Sequence, residues 1–94
     1  MDKNLNIDNV LNTDKVRVEK YWHRAFNVLR RELGGKTNIE DVYNIHPDKL
    51  IKIHGIGKHL TISLIKFFIE YNPDYMNHHN IDTTYVIDMM LFRE

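Results

Sequence analysis

Across residues 13–32 the apolar side chains Val18, Tyr21, Trp22, Ala25, Phe26 and Leu29 recur at steps of three and four. That spacing lays one stripe along an amphipathic helix. Gly34 and Gly35 end it, as glycine does at helix C-termini. Thr37-Asn38-Ile39-Glu40 fits a capping box, with the Thr37 hydroxyl accepting an amide and Glu40 reaching back. A short helix to about residue 44 follows. Pro47 stands at the first position of the next helix, which carries Leu50, Ile51 and Ile53. After Gly55-Ile56-Gly57 the pattern predicts a helix over residues 58–71, with Leu60, Leu64, Ile65 and Phe68 turned inward. Asn72-Pro73-Asp74 stops it. Ile81-Asp82 reads as a staple and cap for a last helix, residues 83–92, with Ile81 meeting Val86. No segment alternates as a strand does. The expected fold is all-α: a small compact helical domain of four short helices plus an added C-terminal helix. Residues 1–13 are expected as a flexible segment, 14–75 as the domain and 76–94 as a helical extension.

Leu64 is expected in the core, against the helix that bears Trp22. Trp22 and Phe26 are read as core aromatics, the usual role at helical spacing. Phe67 and Phe68 are adjacent and cannot share one face, so one is exposed or lies under the C-terminal segment. Of Met89-Met90-Leu91-Phe92, part is expected to cover the core. Fold-back of this helix is favoured over pairing with a second copy, so a monomer is expected.

Composition narrows the class. A chain of 94 residues makes one small domain with a thin margin of stability. It has no cysteine, so no disulfide or thiolate metal site is expected. The first residues lack a signal-length apolar stretch and no run approaches a membrane span. A soluble cytoplasmic protein without membrane contact is therefore expected. No nucleophile–base pairing is visible, and acidic residues are scattered. The chain is read as non-enzymatic and free of cofactors. His78-His79 lacks a supporting carboxylate pattern and is not read as a metal site.

The net charge is zero, which argues against indiscriminate binding to polyanions. The distribution is uneven. Residues 15–31 carry six basic side chains (Lys15, Arg17, Lys20, Arg24, Arg30, Arg31) against Glu19 alone, net +5. Residues 70–94 come to −4. A basic helix is either a solvated face or a phosphate footprint, and charge alone leaves both open.

The Gly-Ile-Gly turn carries the chemistry of an anion site. Its glycines permit a tight turn and present bare N–H groups. The helix that follows aims its positive dipole end and unpaired amides at the same place. Lys58 and His59 add donors. A close helix–helix corner would need the same glycines, so the turn alone does not decide.

The stretch IKIHGIGKHLTISLIKFF resembles a helix-hairpin-helix motif at Ile53, Gly55, Ile56, Gly57 and Leu64. More widely, residues 24–68 resemble the C-terminal domain of the bacterial RNA polymerase alpha subunit. The matching segments are Arg24-Ala25-Phe26-Asn27-Val28-Leu29-Arg30, residues 37–42, residues 50–53 and residues 55–58. The resemblance implies a compact helical fold that binds the backbone and minor groove of double-stranded DNA and docks on transcription-machinery proteins. Carried over, Arg24 and Asn27 contact DNA from the first helix, and Gly57 and Lys58 contact phosphate at the hairpin. His59 takes the place of a second basic residue. Leu60 and Ser63 depart from the family pattern, which usually has a serine and often a glutamate there. The resemblance makes the basic helix and the hairpin converge, with Arg24 and Arg30 gripping the backbone that Gly55 and Gly57 approach, and Asn27 reaching a groove edge. The expected function is DNA binding in transcription or another DNA transaction. The competing expectation is a regulator that uses the same fold to dock on a transcription or replication protein.

Overall fold

The computed structural model describes residues 5–92. Among them, eight helical segments follow one another with no extended strand: α1 (Ile7–Leu11), α2 (Asp14–Val18), α3 (Lys20–Leu33), α4 (Ile39–Tyr43), α5 (Pro47–Leu50), α6 (Gly57–Tyr71), α7 (Tyr75–His78) and α8 (Thr83–Phe92). The fold is all-α, as the apolar spacing predicts. No helix among the described residues is long and apolar enough to cross a membrane.

The spine is the pairing of α3 with α6. Trp22, Ala25, Phe26 and Leu29 form the buried stripe of α3, and Leu60, Leu64, Ile65 and Phe68 that of α6. The Trp22 indole N–H donates to the Ser63 carbonyl at 2.9 Å, which satisfies the one polar atom of a buried ring and fixes the two helices in register. Phe67 and Phe68 are both buried, although they point to different faces. Phe67 meets Trp22 and Phe26 edge-on, while Phe68 packs with Tyr43 and Tyr75.

The N-terminal segment departs from the expectation of a flexible tail, in the part that is described; residues 1–4 lie outside the described residues. Asn6 and Asn9 form a reciprocal capping box that starts α1, and Ile7, Val10 and Leu11 are buried. The segment is also tied to the loop before α4, through Ile7 N–H to Thr37 C=O and Asp8 N–H to Gly35 C=O, both at 3.0 Å. One turn of helix is too short to show a period, and three apolar residues among asparagines read as polar.

Three further expectations are corrected. The long helix over residues 13–32 is broken at Glu19, whose backbone is extended and whose carboxylate accepts the Tyr21 and Trp22 amides. The glutamate ends α2 and caps α3, so Val18 and Tyr21 face solvent instead of the core. The cap of α4 is Asn38, not Thr37: the Asn38 side chain accepts from the Glu40 amide, while the Thr37 hydroxyl donates back to the Leu33 carbonyl. Between Pro73 and Asp82 lies a short helix, α7, that its polar sequence does not announce; it buries Tyr75 completely. Asp82 does cap α8, accepting from the Tyr85 amide. The extension assigned to residues 76–94 ends, for residues 93–94, outside the described residues.

Candidate nucleic-acid interface

Leu50 ends α5, and residues 51–56 turn the chain into α6. Ile53 N–H bonds to Leu50 C=O, and Ile56 N–H to Ile53 C=O, both at 3.0 Å. Gly55 and Gly57 have φ of +93° and +62°, the left-handed region that a Cβ disfavours. The two glycines differ in surroundings. A Cβ on Gly55 would lie 2.6 Å from the Arg31 guanidinium and 3.2 Å from Val28, so α3 presses directly on the turn there. A Cβ on Gly57 would meet nothing within 4 Å. Gly57 therefore opens onto solvent, and its bare backbone is available for close approach. Between them, Ile56 is buried and anchors the hairpin to the core.

Among the described residues, Ile56 at the N-cap of α6 makes no side-chain capping bond, so the first amides of this fifteen-residue helix lie at its positive dipole end without that partner. An open groove of about 440 Å³ lies in front of them, lined by Tyr21 and Arg24 from α3 and by Gly55, Ile56, Gly57, Lys58, His59 and Leu60. Five of the residues singled out in the sequence thus share one concavity: Arg24, Gly55, Gly57, Lys58 and His59.

Two others do not. Asn27 turns its amide back onto its own helix, donating to the His23 carbonyl at 2.9 Å. Arg30 is on another face, where it lines a separate hollow with Asp8, Leu11, Asn12 and Gly35, and its Nε lies 4.0 Å from the Asp8 carboxylate. Arg24 and Arg30 are six positions apart, well away from the three- or four-residue spacing that shares a helix face.

Sequence reasoning missed two residues here. Arg31 donates from Nη2 to the His54 carbonyl at 2.9 Å and so buttresses the hairpin from α3. It sits seven positions after Arg24, two turns along the same face, and that spacing was the available signal. Tyr21, expected in the core, is half exposed at the rim of the groove, with Lys20 Nζ 5.8 Å from its ring centroid.

Lys58 makes one contact beyond the groove: its Nζ donates to the Met90 carbonyl of α8 at 3.1 Å.

The paired histidines belong to the core's rim. His79 is buried with Nε2 2.6 Å from the Tyr43 carbonyl, among the rings of Tyr75, His46 and His78. Burial holds its pKa below the ordinary histidine value, against the opposing pull of the carbonyl bond. No group of three or more His, Asp or Glu side chains among the described residues is arranged to hold a metal ion.

No protein-family model, curated protein or solved structure matches this chain.

Proposed function

We propose that this protein binds double-stranded DNA without catalysing a reaction, gripping the phosphate backbone at the start of α6 and bordering the minor groove, in transcription or another DNA transaction. One observation carries the reading. The open Gly57 backbone, the uncapped α6 amides and the side chains of Arg24, Lys58 and His59 converge on a single groove. Backbone N–H groups at a helix N-terminus with flanking cations suit a phosphate oxygen, and the phosphate contacts set position along a duplex. A narrow A·T-rich minor groove, with its enhanced negative potential, suits the guanidinium of Arg24. The resemblance of residues 24–68 to the C-terminal domain of the polymerase alpha subunit points the same way. The departures at Leu60 and Ser63 are structural here: Leu60 is buried, and the Ser63 hydroxyl donates to the His59 carbonyl within α6.

A second reading, docking on a transcription or replication protein, is favoured by the exposed apolar side chains Ile87, Met90, Leu91 and Phe92 of α8. Substitution at the hairpin separates the two. Gly57→Asp puts a carboxylate where phosphate would sit and should abolish binding to a short A·T-rich duplex in fluorescence anisotropy. Gly57→Ala meets no neighbouring atom but must hold φ near +62°, so it should fold with a loss of about 1 kcal/mol and bind more weakly, its Cβ lying in the path of the ligand. If both variants fold and bind as the parent does, the turn is only a corner, and the docking reading takes its place.

A further inference from the structure

Among the described residues, α8 is anchored from its start as far as Met89. At its start, Asp82 caps the helix, the Tyr85 hydroxyl donates to the Asp48 carboxylate, and the Tyr85 ring meets His46 edge-on. In the middle, Met89 is completely buried. Beyond Met89 the helix is poorly covered: Met90, Leu91 and Phe92 are 49%, 64% and 77% exposed. What this last turn does touch is one residue of the candidate phosphate groove and the hollow beside it. Its Met90 carbonyl accepts from Lys58 Nζ at 3.1 Å, and Met90 lines an adjoining hollow with Tyr21, His59, Ile62 and Ser63, so that the two hollows share Tyr21 and His59.

The electrostatics explain the contact. The carbonyls near the C-terminus of a helix carry its negative dipole end, and Met90 lies in the last described turn of α8. Lys58, in the first turn of α6, stands at a positive dipole end that its own charge does not complement. The α8 carbonyl supplies the acceptor that a phosphate oxygen would otherwise supply. Resting on the nucleic-acid reading above, we propose that the last turn of α8 is an intramolecular competitor: it occupies Lys58 until phosphate takes the ammonium, and it swings from the firm anchor at Tyr85 and Met89.

The test uses the full chain. Leu91→Pro forces the preceding residue, Met90, out of helical conformation and removes its carbonyl from Lys58. Leu91→Ala, at the same exposed site, keeps the helix. The first readout needs no nucleic acid: acylation of Lys58 by a limiting dose of acetic anhydride, measured by mass spectrometry relative to Lys20 in the same molecule. Lys58 should react faster in Leu91→Pro than in the parent or Leu91→Ala. The second readout is affinity for an A·T-rich duplex. Leu91→Pro should bind roughly two- to fivefold tighter, the range of an exposed charged contact, and this gain should vanish in the Lys58→Ala background. Equal reactivity of Lys58 in all three chains, or a gain that persists in the Lys58→Ala background, overturns the proposal. Faster acylation with no duplex binding by any chain overturns the nucleic-acid reading and the competition with it, while the tether stands. Should Leu91→Pro fail to fold, NMR on the parent decides: the Met90 carbonyl carbon should shift on duplex addition with the same midpoint as the Gly57 amide, and an unmoved carbonyl overturns the proposal.

Discussion

Arg31 reaches across 23 positions of sequence to donate to the His54 carbonyl at 2.9 Å, and the same guanidinium fills the space where a side chain on Gly55 would begin. The basic helix thus supports the hairpin as well as lining the groove beside it. Gly55→Ala must adopt φ near +93° and also push Arg31 aside. It should cost about 1–3 kcal/mol. Arg31→Ala, which removes one half-exposed donor, should cost roughly 0.5–1.5 kcal/mol. Urea denaturation of both variants checks this. A Gly55→Ala chain as stable as the parent would show that the turn relaxes freely.

The helical class was legible because apolar side chains at steps of three and four have no other regular use, and α3 and α6 followed from it. The hairpin was legible because only Gly55 and Gly57 offered left-handed backbone at that point. What was hidden depended on single side chains outcompeting the periodic pattern. Glu19 breaks a continuous apolar stripe by taking two backbone amides. Asn38 takes the cap from Thr37, which spends its hydroxyl on the Leu33 carbonyl. Arg24 and Arg30 were expected to grip one backbone, yet their six-residue spacing puts them on different faces of α3, and Arg30 lies with Asp8. The Lys58 tether to α8 depends on where the last helix folds back, and no local signal encodes that.

The buried N-terminal helix yields a stability prediction that a flexible tail would not. Ile7 is completely buried against the core that α3 and α6 build. Ile7→Ala should therefore destabilise the chain by about 2–5 kcal/mol, as in other well-packed cores. In a domain this small, that is a large part of the total. Thermal unfolding by circular dichroism checks it, and a change in melting temperature within error would mean that α1 is not docked.

His79 makes stability depend on pH with a definite sign. Burial, with His78 and His46 nearby, holds its folded pKa below the ordinary value of 6.5, although the Tyr43 carbonyl bond opposes this. The folded protein therefore keeps the neutral ring, and the unfolded chain binds the proton more readily. This contribution to stability is fully present above the unfolded value and is lost as pH falls from there through the folded pKa. Urea midpoints should drop on going from about pH 7.5 to about pH 5.5. The drop should be smaller in His79→Gln, and equal drops in both chains would mean that another group is responsible.

Salt dependence discriminates between the two arginines. With Arg24, Lys58 and the α6 amides on phosphate, log affinity should fall against log salt with a slope of roughly −2 to −4. Arg24→Ala and Lys58→Ala should each flatten the slope by about one unit. Arg30→Ala should leave it unchanged, because Arg30 lies on the Asp8 face. A slope altered by Arg30→Ala and not by Arg24→Ala would place the footprint on the wrong side of α3.

The most direct measurement is an NMR titration of the isotopically labelled protein with a short A·T-rich duplex at low salt. The predicted result is a saturable set of shifts centred on the amides of Gly55, Gly57, Lys58 and His59, extending to Tyr21 and Arg24 and leaving the Asp8–Arg30 face unmoved. No shifts at low salt, or shifts centred away from the start of α6, would contradict the phosphate groove as the site of function.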